Sequence, residues 1–195
     1  MSKIGLTGVI GSGKTTVSRL FAKLGAKTFN CDQKIHQFYQ NPNHPVYKKV
    51  VEAFPDVQLE GYISRDKLAQ VVFNDSEKLE KLEQIVHPEI IRLLNKWFES
   101  KEKQEAYLAE VPLLFEKNLE GLFDKTILME VKKDILVERL KKNYKFSDKE
   151  IAKRLSLYLS KEKKLEKADF ILENNLGLEN LEKEVSLLWQ KIDKT

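Results

Sequence analysis

"LTGVIGSGKTT", residues 6–16, is the stretch on which the reading of the whole chain turns. From Gly8 through Gly13, Lys14 and Thr15 its spacing is G-x-x-x-x-G-K-[ST], the pattern of a loop that wraps nucleotide phosphates. Gly8, Gly11 and Gly13 let the backbone turn tightly and bring N–H groups to phosphate oxygens, because glycine tolerates positive φ and has no side chain in the way. Phosphate would also lie at the positive end of the helix that follows. Lys14 would reach the β and γ phosphates, and the Thr15 hydroxyl would bind Mg2+. A glycine turn with no ligand is the competing reading, but this pattern between a strand and a helix is rare by chance.

Working outward, "KIGLT" (3–7) predicts a short buried strand, and "KTTVSRLFAKLG" (14–25) a helix with Val17, Leu20, Phe21 and Leu24 on one face and Gly25 ending it. "AKTFNC" (26–31) predicts a second strand, and a strand-helix-strand unit sets its strands parallel in one sheet. From Asp32 to about Gln104 only helical patterns occur: "DQKIHQFY", "VYKKVVEAF", "RDKLAQVVF", and a long one from Ser76 to about Lys103 interrupted at Pro88. Strand alternation resumes in "AYLAEVPLLF" (106–115) and "KTILMEV" (125–131), each followed by helical periodicity. "ADFILEN" (168–174) predicts a fifth strand and "LENLEKEVSLLWQKI" (178–192) a closing amphipathic helix. The fold class expected is α/β, a three-layer P-loop NTPase sandwich with about five parallel strands flanked by helices, a helical insertion and a helical lid. Such sheets bind ligands beyond the carboxyl ends of their strands.

Composition agrees with a soluble globular protein. The 195 residues, 42% of them hydrophobic, suffice for one substantial core with an inserted subdomain. The opening "MSKIGLTGV" lacks the succession of a signal peptide and no apolar run has the length of a membrane span, so the expected location is the cytoplasm. The lone Cys31 excludes an internal disulfide and reads as a small buried hydrophobe. Net charge is +4 but uneven: residues 139–167 hold eleven Lys or Arg against four Asp or Glu, a local +7 that leaves −3 elsewhere. That run is either a solvated helical face or, beside a polyphosphate, a lid.

Nucleotide binding leaves kinase, ATPase and GTPase open. A GTPase of this fold carries D-x-x-G and N-K-x-D segments, and "NKWF" at 95–98 has the wrong fourth residue; an LSGGQ-type signature is absent too, which favours a kinase. A small-molecule kinase must set an acceptor hydroxyl in line with the terminal phosphorus. Asp32, at the end of the second predicted strand, would lie on the phosphate-loop edge of the sheet and could hold that hydroxyl; it could equally be the N-cap of "QKIHQFY".

Taken together the segments resemble the dephospho-coenzyme A kinases over nearly the full chain. "GLTGVIGSGKTTV", Asp32, "RDKLAQVVF" with Arg65, "IVHPEI" with His87 and Pro88, "VPLLFE" (111–116), Arg139 in "VERL", and "ADFILEN" ending at Asn174 are similar to family segments in the same order. The resemblance implies transfer of the ATP γ-phosphate to the ribose 3'-hydroxyl of dephospho-CoA, with ATP and Mg2+ as cofactors. It implies Asp32, Lys14 and Arg139 as catalytic residues, and Gly8, Gly11, Ser12, Gly13, Lys14, Thr15, Thr16, Arg139 and Asn174 as the nucleotide site, with Thr15 on the metal. Asp32, Arg65, His87, Pro112 and Leu113 would meet the acceptor. Residues 1–31, 105–138 and 168–195 would form the core, 32–104 the acceptor domain and 139–167 the lid. Four positions depart from the family pattern: Val9 for a second glycine, Asn30 for the first acid of Asp-x-Asp, Asn143 where a lid arginine is frequent, and Tyr158 for a lid glutamine.

Several of these residues keep a second reading. Arg65 and His87 could simply start helical segments, Asn174 could contact adenine or cap the last strand, and Glu110 could hold a Mg2+-bound water or be an ordinary strand-end carboxylate. No second histidine or cysteine lies at helical spacing from His87 to suggest a metal. The partners expected are small molecules, without nucleic acid or membrane, and the chain is expected as a monomer or weak homo-oligomer. Another nucleoside or nucleotide kinase is the alternative within the class. A nucleotide-dependent regulator or nucleic-acid-binding module, permitted by a pI near 8.9, lies outside it, but no RNA- or DNA-reading motif is present.

Overall fold

The computed structural model of the chain describes residues 2–99 and 106–192, in two compact units: Met1–Asn30 with Lys101–Thr195, and Cys31–Ser100. In chain order the first unit opens with β1 (Lys3–Gly8), α1 (Lys14–Lys23) and β2 (Lys27–Asn30). The second unit holds α2 (Cys31–Tyr39), α3 (Pro45–Ala53), β3 (Gln58–Leu59), β4 (Tyr62–Ile63), α4 (Arg65–Val72) and α5 (Ser76–Glu99). The first then resumes with β5 (Tyr107–Glu110), β6 (Lys125–Glu130), α6 (Lys133–Tyr144), α7 (Asp148–Leu155), α8 (Lys161–Lys167), β7 (Phe170–Glu173) and α9 (Leu178–Ile192).

Strand β1 is buried at every position after Lys3, as a strand covered on both faces must be. It is the middle of a five-stranded sheet of order β2-β5-β1-β6-β7, parallel throughout. Two registers matter for the site: Glu110 at the end of β5 pairs with Leu6 on one side and with Asn30, the last residue of β2, on the other. The carboxyl ends of three strands therefore meet beside the loop that leaves β1. Helices α1 and α9 cover the sheet, with Val17, Leu20 and Phe21 of the one and Leu181, Val185, Leu188 and Ile192 of the other in a single apolar cluster with Ile4 and Leu6. Each fully buried side chain of this size contributes about 1.5–3 kcal/mol. Gly25, at φ 105°, ends α1 as expected, but Leu24 lies past the last helical residue and is 37% exposed, so it is not part of the buried face.

A second cluster in this unit holds the loop from the other side: Leu136 and Leu140 of α6 and Ile151 of α7 are buried with Val9 and Ile10 packed against them. The valine at the position of a family glycine thus has an apolar partner.

Four expectations need correction. The strand expected over 106–115 ends at Glu110, because Pro112 has no N–H for a ladder and Leu113 adopts a left-handed φ of 55°. No α-helix follows it; the chain makes compact turns, such as Leu119 N–H on the Leu114 carbonyl at 2.9 Å, and a 3-10 turn at Glu120–Leu122. The 32–104 stretch is not wholly helical, since β3 and β4 form a two-residue hairpin around Gly61 at φ 80°, too short to register as strand periodicity. Helix α5 runs unbroken through Pro88, so His87 and Pro88 do not start a new segment; buried Val86, Ile90, Leu94 and Phe98 on one stripe outweigh the hydrogen bond that proline removes. The expected helix end near Lys103 and the domain boundary at 104 lie outside the described residues.

Candidate active site

The loop between β1 and α1 is built by its glycines: Gly11 has φ 79° and Gly13, which caps α1 without any side-chain hydrogen bond, has φ 100°. A Cβ on Gly11 would meet Leu140 Cδ2 at 2.9 Å, and one on Gly13 would run into Asn174 Nδ2. Both positions therefore need glycine for conformation and for space. The Lys14 ammonium, buried at 8% exposure, donates to the Gly8 carbonyl at 2.9 Å and the Val9 carbonyl at 3.1 Å, so it lies across the bend of its own loop. Ser12 Oγ is fully buried and finds no hydrogen-bond partner among the described residues. An uncapped helix start, an ammonium across the bend and a buried hydroxyl in need of an acceptor are the donor set that fits a polyphosphate. Thr16 is exposed in the first turn of α1.

Beneath the loop, Thr15 donates its hydroxyl to the Glu110 carboxylate at 3.0 and 3.2 Å, and Asn30 Nδ2 donates to the same carboxylate at 2.6 Å. Glu110 is 4% exposed. A buried carboxylate behind a threonine hydroxyl is a hard oxygen pair, which suits Mg2+. Asn30, where the family pattern has an acid, here serves as a donor to Glu110.

On the far side of the loop Asn174 acts as a tie. Its Nδ2 donates to the Ser12 carbonyl at 2.9 Å, and its backbone carbonyl and Oδ1 accept from Arg139 Nη2 at 3.0 and 3.3 Å. Arg139 and Asn174 are thereby brought to the loop, and Asn174 touches it directly. Lys164 of α8, 5% exposed, reaches Glu130 Oε1 at 3.4 Å, joined by Lys161 at 3.6 Å, which ties α8 to the end of β6. The Arg154 guanidinium lies 4.2 Å from the Phe146 ring centroid.

In the other unit Asp32 is the second residue of α2, inside the first turn rather than the N-cap, because the helix already starts at Cys31. Seven residues on, Tyr39 is 5% exposed, and burial pushes its phenol well above the usual range, with the Arg65 guanidinium opposing and the Asp32 carboxylate adding. The Asp32 carboxylate and the Arg65 guanidinium thus act in opposite senses on a phenol that stays neutral. Arg65 is the first residue of α4, whose N-cap Ser64 accepts from Lys67 N–H at 3.3 Å. His87 is half-buried in mid-α5. Pro112 and Leu113 follow β5 in the first unit, both half-buried, with Leu113 in its left-handed conformation.

A family model described as dephospho-CoA kinase matches residues 2–180. The dephospho-CoA kinase of Aquifex aeolicus is 35% identical, covering 100% of this chain and 99% of its own length. The chain belongs to the dephospho-CoA kinase family. Among solved structures, one from Thermus thermophilus is 33% identical over 97% of both chains with a TM-score of 0.82. A dephospho-CoA kinase from Campylobacter jejuni is 28% identical, covering 98% of this chain and 97% of that one, with a TM-score of 0.69. The parallel sheet with its phosphate loop is the fold of this family of kinases.

Glu110 of the first unit and Tyr39 of the second lie outside the motifs. Glu110 stood only as one alternative, since nothing in the sequence says that β5 lies between β1 and β2. Tyr39 was missed, although its place seven residues after Asp32, two helical turns on, was a usable signal.

Proposed function

We propose that this chain transfers the terminal phosphate of ATP to the ribose 3'-hydroxyl of dephospho-CoA, giving CoA and ADP. One observation carries the reading: the loop that lays Lys14 across its own carbonyls belongs to a chain matched by the family over residues 2–180. The acceptor oxygen forms a bond to the γ-phosphorus while the β–γ bridging bond breaks, ADP leaves, and the hydroxyl proton passes to the Asp32 carboxylate and then to solvent. Backbone N–H groups of Gly8–Thr15 bind the phosphates, Lys14 neutralises charge between the β and γ groups, and Arg139, steadied on Asn174, adds a second cation. Thr15, with Glu110 behind it, would hold Mg2+, which when bound screens the same phosphate oxygens. Asp32 orients the acceptor; a loose transition state asks little early proton removal, so orientation is its larger contribution. Arg65 and His87 bind the anionic and heterocyclic parts of the acceptor, with Pro112 and Leu113 as further contacts, and 139–167 serves as a lid that excludes water.

Purified protein with Mg-ATP tests this. Addition of dephospho-CoA should raise ADP release by at least about a hundredfold over the acceptor-free rate, and adenosine or other nucleosides should not. Equal rates with and without dephospho-CoA would reject the assignment.

A further inference from the structure

One peptide group of the phosphate loop is held at both ends. Its carbonyl, that of Val9, accepts from the Lys14 ammonium at 3.1 Å; its N–H, that of Ile10, donates to the Tyr158 hydroxyl oxygen at 3.0 Å. Tyr158 follows α7 and stands 148 residues from Ile10 in sequence. Its position is fixed independently, since the next residue, Leu159, donates its N–H to Glu116 Oε1 at 2.9 Å. Val9 and Ile10 meanwhile pack on Leu136, Leu140 and Ile151.

The two hydrogen bonds act through one conjugated unit. A cation on the carbonyl oxygen draws electron density across the amide and makes its N–H a stronger donor; an acceptor on the N–H makes the oxygen a stronger acceptor. Together with the Ser12 N–H, which also donates to the Val9 carbonyl at 3.1 Å, the tyrosine fixes the peptide plane and so the direction in which that carbonyl faces the ammonium. We propose that Tyr158 is a positioning residue that couples the α7–α8 segment to Lys14 through the Val9–Ile10 peptide. With that segment seated on the loop, the carbonyls of Gly8 and Val9 hold the ammonium where a nucleoside triphosphate presents its β and γ oxygens; with the segment withdrawn, the peptide loses its outer partner and the Val9 carbonyl one of the contacts that aim it at the lysine. Closure of the segment then completes the phosphate site, and a nucleotide in an open site is poorly placed to react with water. This rests on the kinase reading above and on residues 139–167 acting as its lid.

The test follows the Ile10 amide proton by NMR exchange in nucleotide-free protein, beside steady-state kinetics. Tyr158→Phe, which keeps the ring and removes the hydroxyl, should speed Ile10 exchange and lower kcat by about three- to tenfold, the range of one hydrogen bond. Tyr158→Gln, whose amide oxygen can accept, should restore much of both. Lys14→Met should speed Ile10 exchange only while Tyr158 is present and add nothing to Tyr158→Phe, a pattern that a purely structural tyrosine would not produce. Ile10 exchange unchanged in Tyr158→Phe, or unchanged in Lys14→Met, or a glutamine variant no better than phenylalanine, would overturn the coupling. The exchange arm uses no acceptor, so a wild-type protein inactive on dephospho-CoA would reject the proposed function while leaving the coupling to be decided by exchange.

Discussion

In the phosphate loop, consecutive residues from Gly8 to Thr15 supply backbone donors, an ammonium and a hydroxyl, whereas in the Cys31–Ser100 unit Asp32, Tyr39 and Arg65 come from two helices with a hairpin between them. The loop is specified by conformation: a glycine at φ 79° or 100° admits little else, and Asn174 closes the space around Gly13. The Cys31–Ser100 unit is specified by side-chain chemistry on ordinary helices, where burial keeps the Tyr39 phenol neutral, the Arg65 guanidinium opposing and the Asp32 carboxylate adding. Substitutions in the two regions should therefore fail in different ways.

The largest effect is expected in the loop. Gly13→Ala strains a positive φ and drives a methyl group into Asn174 Nδ2, so the Ser12 tie breaks. A loss of about 2–4 kcal/mol in unfolding free energy is expected, with ATP affinity down at least about tenfold. Thermal unfolding and nucleotide titration check this, and a variant with wild-type ATP affinity would remove the conformational account of the loop.

Arg65→Ala should act on the other side of the comparison. It should raise KM for dephospho-CoA by about tenfold, the size of one charge-assisted contact, and leave KM for ATP within about twofold. Equal changes in both constants would mean that the two regions do not divide the substrates as proposed.

The smallest effect is on acid stability within the Cys31–Ser100 unit. Glu89 accepts two hydrogen bonds from Arg92, at 2.7 and 2.8 Å, and these hold its carboxyl below the usual range against the opposing effect of burial, with the charges of Arg92 and His44 assisting. A carboxyl depressed on folding adds stability above its ordinary pKa and loses it as pH falls through the lower folded value. With Arg92 59% exposed, the contribution is about 0.5 kcal/mol. Glu89→Gln should be less stable than wild type by that amount at pH 7, and the difference should vanish in strong acid; a constant difference at every pH would show that packing, not charge, is responsible.

The same contrast explains what was legible in the sequence. The β1–α1 unit could be read because its signal is contiguous, and α9 because Leu181, Val185, Leu188 and Ile192 recur at helical spacing. The family segments could be placed in order for the same local reason. Sheet order could not be read: β5 pairs with both β1 and β2 although the whole Cys31–Ser100 unit intervenes, and that pairing alone brings Glu110 to Thr15. Asn174 lies 162 residues from the Ser12 carbonyl it holds, and its role as a tie is invisible without that approach. Hairpin β3–β4 leaves no sequence signal because two residues cannot display a period of two, and the local preference around Pro88 points to a break in α5 that its stripe of buried side chains overrides.

The most direct test of the division of labour is Asp32→Asn, with turnover on dephospho-CoA and equilibrium Mg-ATP affinity measured on the same preparation. Loss of the Asp32 carboxylate should lower kcat by at least about a hundredfold while ATP affinity stays within about twofold. Turnover close to wild type, or a parallel collapse of ATP binding, would contradict the assignment of Asp32 to the acceptor.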